Sequence, residues 1–273
     1  FKVEPATDSP LFNLPNVACT PHLGAATTEA QETVALQVAE QMSNYLLTGA
    51  VENALNMPSV TAEEAKVMGP WVKVAEHLGS FVGQMTDEPI QSIEIIYNGT
   101  VSAMNLEALN CSAIAGIMKA TNPDVNMVSA PVIAKERGIQ ISTTSQDKSG
   151  AFDGYIKLVV KTAERERSIA GTVFSDGKPR FIQIKGINID AEVGAHMLYT
   201  TNNDVPGIIG TLGQTMGEND VNIANFTLGR SAAGANAIAL LYLDGPPPAA
   251  VLEKLRTTGL FQSVAPLHFN VAQ

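Results

Sequence analysis

Residues 196–273 constrain the fold most tightly. HMLYTTN alternates with the two-residue period of a strand, and NDVPG then opens a helix through Pro206, with Ile208, Ile209, Leu212 and Met216 spaced for one helical face. NIANFTLGR reads as a second strand, Ala232 to Gly234 as a turn, and NAIALLYLD as a third strand. Pro246 to Pro248 lead into a helix over about 249–256, and LFQSVAPLHF forms the last strand. The order βαββαβ is that of a split βαβ unit.

The middle of the chain predicts an α+β domain over residues 58–195. A helix is expected from residue 61 to about 85, broken near Pro70, with Val67, Trp71, Val74, Leu78, Phe81 and Val82 on its apolar face. Trp71 and the methionines read as core rather than as a cofactor platform. SIEIIYNG is a strand ending on an Asn-Gly turn, followed by helices over 103–120 and 128–137, the second stopped by Gly138. IQISTT, YIKLVVKTA, SIAGTVF and PRFIQIKG are further strands, the last two joined through Asp176 and Gly177. Lys119, Lys135, Arg137, Lys148, Lys157, Lys161, Arg165, Arg167, Lys178, Arg180 and Lys185 all fall in this region. They read either as a solvated strand face or as an anion site, for which Lys148, beside Ser149 and Gly150 in a polar loop, is the single best candidate.

Residues 1–57 begin differently. EPATDSPLFNLPNVACTPHLGAATTEAQ, over 4–31, is polar and broken at Pro5, Pro10, Pro15 and Pro21, so packing alone does not explain its residues. A His held by a carboxylate is a general acid/base near neutral pH, which gives Glu4 and His22 a chemical reading. A solvated Glu and an incidental loop His are the other reading. After the loop, Thr28 and Gln31 predict a capping box, and Ala30, Val34, Val38, Met42 and Tyr45 predict an amphipathic helix to about Leu47, closed by Gly49. NMP, ending at Pro58, marks the boundary.

A net charge of -10 argues against a nucleic acid or an anionic membrane as partner. Cys19 and Cys111 are far apart and lack metal-ligand spacing, so neither a metal site nor a disulfide framework is expected, and a reducing cytoplasm fits. No apolar run approaches the roughly 20 residues that span a bilayer, and Phe1 opens no signal peptide. The chain is expected to be soluble and cytoplasmic.

The succession EP, PLF, LPNV and TPHLGA resembles the end of the nucleotide-binding domain in D-isomer-specific 2-hydroxyacid dehydrogenases. The resemblance implies that Glu4 and His22 form the catalytic pair, that His22 exchanges a proton with the substrate hydroxyl or carbonyl, and that His22 and Gly24 lie beside bound NAD. The chain has no GxGxxG turn and no upstream Arg to grip a substrate carboxylate, and it opens on FKVE without Met. It therefore reads as the C-terminal part of a longer enzyme, with a remnant of a Rossmann-type domain. NAD would be bound mainly by the missing N-terminal part, and the isolated chain is expected to be inactive.

Residues 58–195 resemble, in place, length and the hairpin FSDGKPR, the allosteric substrate-binding domain of long-form D-3-phosphoglycerate dehydrogenases. In relatives such domains bind phosphate-like anions. DVPGIIG and DVNIANF make residues 196–273 similar to the ACT domain, a ferredoxin-like amino-acid-binding module. In serine-regulated members the positions of Asn202, Asp204 and Asn222 contact L-serine across two paired ACT domains. Asn202 departs from the ring-bearing polar residue common there. The chemistry fits a zwitterion, since Asp204 and the Asn222 amide offer an acceptor and a donor, and Gly207 opens a helix N-terminus. On the residues alone, Asp204 and Asn222 are equally turn and cap residues.

Together these resemblances imply a multidomain α/β and α+β chain from an NAD-dependent dehydrogenase that oxidises 3-phosphoglycerate on the route to L-serine. Its small-molecule partners would be that substrate and an L-serine effector, and ACT pairing implies a homo-oligomer, a tetramer by resemblance. An amino-acid-sensing module of another enzyme, or a dehydrogenase for a different 2-hydroxy acid, are the alternatives.

Overall fold

A computed structural model describes residues 6–147 and 150–271. The chain divides into two compact units, one reaching Asn53 and including Ser59–Ala65, the other formed by Ala54–Pro58 and Lys66–Gln273.

In the first unit an irregular stretch leads into α1 (Thr28–Thr48). The N-cap is Thr27, whose hydroxyl accepts from the Ala30 N–H at 3.2 Å. That shift of one residue places Gln31 beyond the third helical position, so the expected Thr28–Gln31 box does not form. Gln31 instead donates its amide to the Ala25 carbonyl at 3.2 Å. Gly49 closes the helix with φ 75°, its N–H reaching the Tyr45 carbonyl, as a left-handed C-terminal glycine does. Val34, Val38, Met42 and Tyr45 are all exposed on α1.

The reciprocal capping box lies at α2 (Ala62–Gln84), where the Thr61 N–H donates to Glu64 Oε2 at 2.8 Å and the Glu64 N–H to Thr61 Oγ1 at 3.2 Å. Pro70 is accommodated within this helix. Trp71, Val74, Leu78, Phe81 and Val82 are buried as expected, whereas Val67 is exposed.

The first sheet of the second unit has six strands. β1 (Ser92–Gly99) leads through a short 3₁₀ turn (Thr100–Ala103), α3 (Leu106–Lys119) and α4 (Ser129–Glu136) to β2 (Gln140–Gln146), which pairs parallel to β1. A parallel pair needs such a crossover. β3 (Gly154–Lys161), β4 (Glu166–Val173), β5 (Pro179–Ile184) and β6 (Ile187–Glu192) continue antiparallel, giving the order β2-β1-β3-β4-β5-β6. The sixth strand was not expected, because Lys185-Gly186, the tight turn before it, carries Lys where Asn or Asp would signal a hairpin.

α2 and α3 pack backbone to backbone. A Cβ at Gly79 would meet the Ala113 carbonyl oxygen at 2.1 Å, one at Gly83 the Ile117 carbonyl oxygen at 2.4 Å, and one at Gly116 the Glu76 carbonyl oxygen at 2.3 Å. Three glycines thus set the helix separation.

The second sheet contains β7 (His196–Asn203), β8 (Ile223–Arg230), β9 (Asn236–Leu243) and β10 (Phe261–His268), in the antiparallel order β10-β7-β9-β8. With α5 (Ile208–Gly217) after β7 and α6 (Ala249–Thr257) after β9, this is the ferredoxin-like topology. One face packs Leu198, Ala239, Leu241 and Leu243 against Ile208, Leu212, Met216, Val251 and Leu255. Ile209 is exposed, since it follows Ile208 by 100° around the helix and points away from that core.

The other face of this sheet is buried too. Tyr199 stands edge-on to Phe81 with ring centroids 5.3 Å apart, and the Thr227 hydroxyl donates to the Asp190 carbonyl at 3.0 Å. Burial on both faces explains why NAIALLYL reads as a near-continuous apolar run rather than an alternating one.

Candidate functional site

His22 lies in the exposed irregular stretch before α1, within a chain of tight turns in which the Val17 N–H reaches the Leu14 carbonyl at 3.1 Å and the Ala26 N–H the Leu23 carbonyl at 3.2 Å. Glu4 lies outside the described residues. A Cβ at Gly24 would meet nothing within 4 Å, so open space borders the backbone two residues after His22. An exposed imidazole beside open backbone can exchange protons with a small molecule held against it.

The three residues expected to contact an amino acid are not gathered in one chain. Asn202 is on β7 opposite Ala237, at one end of β9. Asn222 precedes β8 at the other end, its amide donating to Asp244 Oδ2 at 2.7 Å. From residue 237 to 244 a strand advances roughly 24 Å at about 3.4 Å per residue. Asn202 and Asp204 share one end of the sheet, and Asn222 occupies the other.

Each makes definite bonds. Asn202 is 1% exposed, and its amide nitrogen donates to the Asn203 carbonyl at 2.7 Å while Oδ1 is buried without a donor. The Asp204 carboxylate accepts from Arg230 Nη1 at 2.7 Å and from the Gly234 N–H at 3.1 Å. The Arg230 hydrogen bond, then that of Gly234, holds the Asp204 carboxyl below the usual carboxylate range. Arg230 and Asp244 therefore belong to these sites, and neither was singled out in the sequence. They lie 26 and 22 residues from their partners, too far for any local pattern to connect them.

The basic residues of the middle region are mostly matched by carboxylates. Lys119 pairs with Glu76 at 2.6 Å, Lys161 with Glu166 at 3.1 Å, Lys178 with Glu192 at 3.1 Å and Arg180 with Glu192 at 3.6 Å. Lys148 lies outside the described residues. Burial first, and Glu107 second, pushes the Cys111 thiol up, which leaves it a poor nucleophile. Among the described residues no group of three or more His, Cys, Asp or Glu is placed to hold a metal ion, and no helix is long and apolar enough to cross a membrane.

Residues 67–185 match the family model described as the D-3-phosphoglycerate dehydrogenase intervening domain. The matched stretch takes in most of α2 and runs through β5, ending at Lys185. The chain is also 35% identical over 245 residues to the D-3-phosphoglycerate dehydrogenase of Bacillus subtilis (strain 168), covering 89% of this chain and 47% of that protein. The protein of the same name from Synechocystis sp. is 35% identical over 257 residues, covering 93% of this chain and 46% of the relative. That from Methanocaldococcus jannaschii is 32% identical over 268 residues, 97% of this chain and 50% of the relative. The chain spans about half the length of the curated relatives it matches.

Proposed function

We propose that this chain is the C-terminal, regulatory part of an NAD-dependent D-3-phosphoglycerate dehydrogenase, oxidising 3-phosphoglycerate to 3-phosphohydroxypyruvate on a cytoplasmic route to L-serine. The observation that carries the reading is the intervening-domain match within a chain similar to enzymes of that name over 89% of its length or more. Residues 58–195 act as the intervening domain and 196–273 as an ACT-type sensor. His22 is the proton-exchanging group, oriented by Glu4. His22 and the open backbone at Gly24 suit the flank of a nicotinamide, and the rest of the cofactor is bound by residues outside this chain.

L-serine is the effector. Because Asn202 and Asp204 lie at the opposite end of β9 from Asn222, a site using all three is built between two copies, one giving Asn202 with Asp204 and the other Asn222. The buried Asn202 Oδ1 is an acceptor suited to the serine ammonium. This geometry supports a homo-oligomer paired through these sheets.

Calorimetric titration of the chain with L-serine, with D-serine as control, tests the sensor. Saturable binding lost in Asn222→Ala is expected, while no heat at millimolar serine from folded protein would overturn it. In the complete enzyme, His22→Ala should abolish turnover and leave serine binding intact. Near-normal turnover would remove the acid/base assignment.

A further inference from the structure

The first residue of β7 and the last of β10, His196 and His268, stand directly opposite one another across two antiparallel strands. Their backbones show which kind of pair this is. The His268 N–H donates to Gln84 Oε1 at 2.8 Å and its carbonyl accepts from Gln84 Nε2 at 2.7 Å, so both groups point away from β7. The ladder resumes one residue on, where the Phe269 N–H donates to the Ala195 carbonyl at 3.0 Å. That is the pattern of a non-hydrogen-bonded pair, the kind in which opposite side chains approach most closely. The two imidazole centroids are 5.1 Å apart, with 33° between the ring planes.

Neither ring has another task in the fold. Among the described residues no hydrogen bond or ion pair involves a ring nitrogen of His196 or His268. His196 is half-buried and His268 exposed, so solvent reaches the pair. Like charges directly opposite one another destabilise a sheet, which makes two histidines a poor choice for strand pairing alone. Their placement is nevertheless firm. Gln84 of α2 brackets the His268 backbone, and the two-residue period puts both rings on the face of Leu198 and Val264, just past the end of that core.

We propose that His196 and His268 together chelate one borderline divalent transition-metal ion such as Zn²⁺, through one nitrogen of each ring. Imidazole suits ions of this class, whereas Mg²⁺ prefers oxygen. Two Zn–N bonds of about 2.0–2.1 Å at a tetrahedral angle set their nitrogens about 3.4 Å apart. Facing nitrogens lie inside the 5.1 Å centroid separation, so turning the two solvent-reached rings meets that spacing with the backbone unmoved. Two protein ligands leave the remaining positions to water, which makes this an open, exchangeable site rather than a closed structural centre. The bound ion joins the residue where the chain enters the second sheet to the strand that completes it. This inference does not depend on the serine reading.

Calorimetric titration of the 273-residue chain with zinc chloride, and with magnesium chloride as control, tests it. One zinc per chain should bind, with no saturable heat from magnesium. His196→Gln and His268→Gln should each weaken the apparent affinity by about tenfold or more, because each removes one of two ligands. Cys19→Ser, which removes an exposed thiol, should leave it unchanged. The chain has four histidines, and in NMR spectra of the unsubstituted protein zinc should move the His196 and His268 ring signals together. No saturable zinc binding, affinity unchanged in both Gln variants, loss in Cys19→Ser, or ring signals moving at His22 or His77 instead would overturn the assignment.

Discussion

Gly229 on β8 lies against the backbone of Asn188 on β6, so close that an added Cβ would stand 2.5 Å from the Asn188 carbonyl oxygen. Contact with a backbone atom cannot be relieved by a rotamer change, so Gly229→Ala must push the two sheets apart locally. The expected cost is about 1–3 kcal/mol, the range for overpacking a close-packed site. Urea denaturation of the variant should show a lower midpoint, and an unchanged midpoint would mean the two strands do not hold this approach in solution.

Gly83→Ala should behave similarly for a different reason. Its Cβ would reach the Ile117 carbonyl oxygen at 2.4 Å, driving α2 and α3 apart. Helix propensity works the other way, favouring Ala by roughly 1 kcal/mol. Net destabilisation would show that helix approach outweighs propensity, and a stabilised variant would show that the helices yield.

His77 supplies a pH dependence. It is 4% exposed, its ring edge-on to Phe269 at 5.7 Å, and burial pushes its pKa down to about 4. The unfolded chain takes up a proton near the ordinary value of 6.5, which the folded chain refuses until about 4. The stability from neutral His77 is therefore full above 6.5 and lost as pH falls towards 4, by an amount of order 3 kcal/mol. His77→Leu should flatten urea midpoints between those pH values. Parallel curves for the two proteins would assign the acid loss elsewhere.

Asp204 acts in a lower window. Its folded pKa is held below the ordinary 3.8 by the Arg230 hydrogen bond and then by the Gly234 N–H. The contribution is present above 3.8 and lost as pH falls through the folded value. Asp204→Asn should remove that final acid limb of the melting curve and loosen the loop that carries Gly234, detectable as faster amide exchange there. Unaltered exchange at Gly234 would show that the carboxylate does not hold the loop.

Local patterns were legible where a single element decides the outcome. Strand periodicity at HMLYTTN, the helix over 208–217 and the Asp176-Gly177 turn all read directly, because each signal lies within one period of its own residues. The Thr28 cap was misplaced by one position, since Thr27 and Thr28 are equivalent candidates until the helix axis is set. Ile209 was placed with its neighbours although α5 buries only part of its circumference. For α1, periodicity reports an apolar stripe without reporting what covers it.

The candidate sites divide along the same line. His22 and Gly24 were readable as a local run of residues, Asp204 and Asn222 as members of two short motifs, and Asn202 as the end of the run HMLYTTN. Their bonds were not. Asp244 reaches Asn222 because β8 and β9 pair antiparallel, and Arg230 reaches Asp204 because β7 and β8 both pair with β9.

By itself, the sequence determined the βαββαβ unit and, apart from β6, the order of helices and strands, since periodicity, caps and turn residues act over a few positions. Only the tertiary structure decided that the second sheet is buried on both faces, that Asn202 and Asn222 stand at opposite ends of one strand, and that His196 and His268 face each other across two strands. Those relationships depend on strand register and on the approach of glycine backbones, which join residues distant along the chain and leave no periodic trace in it.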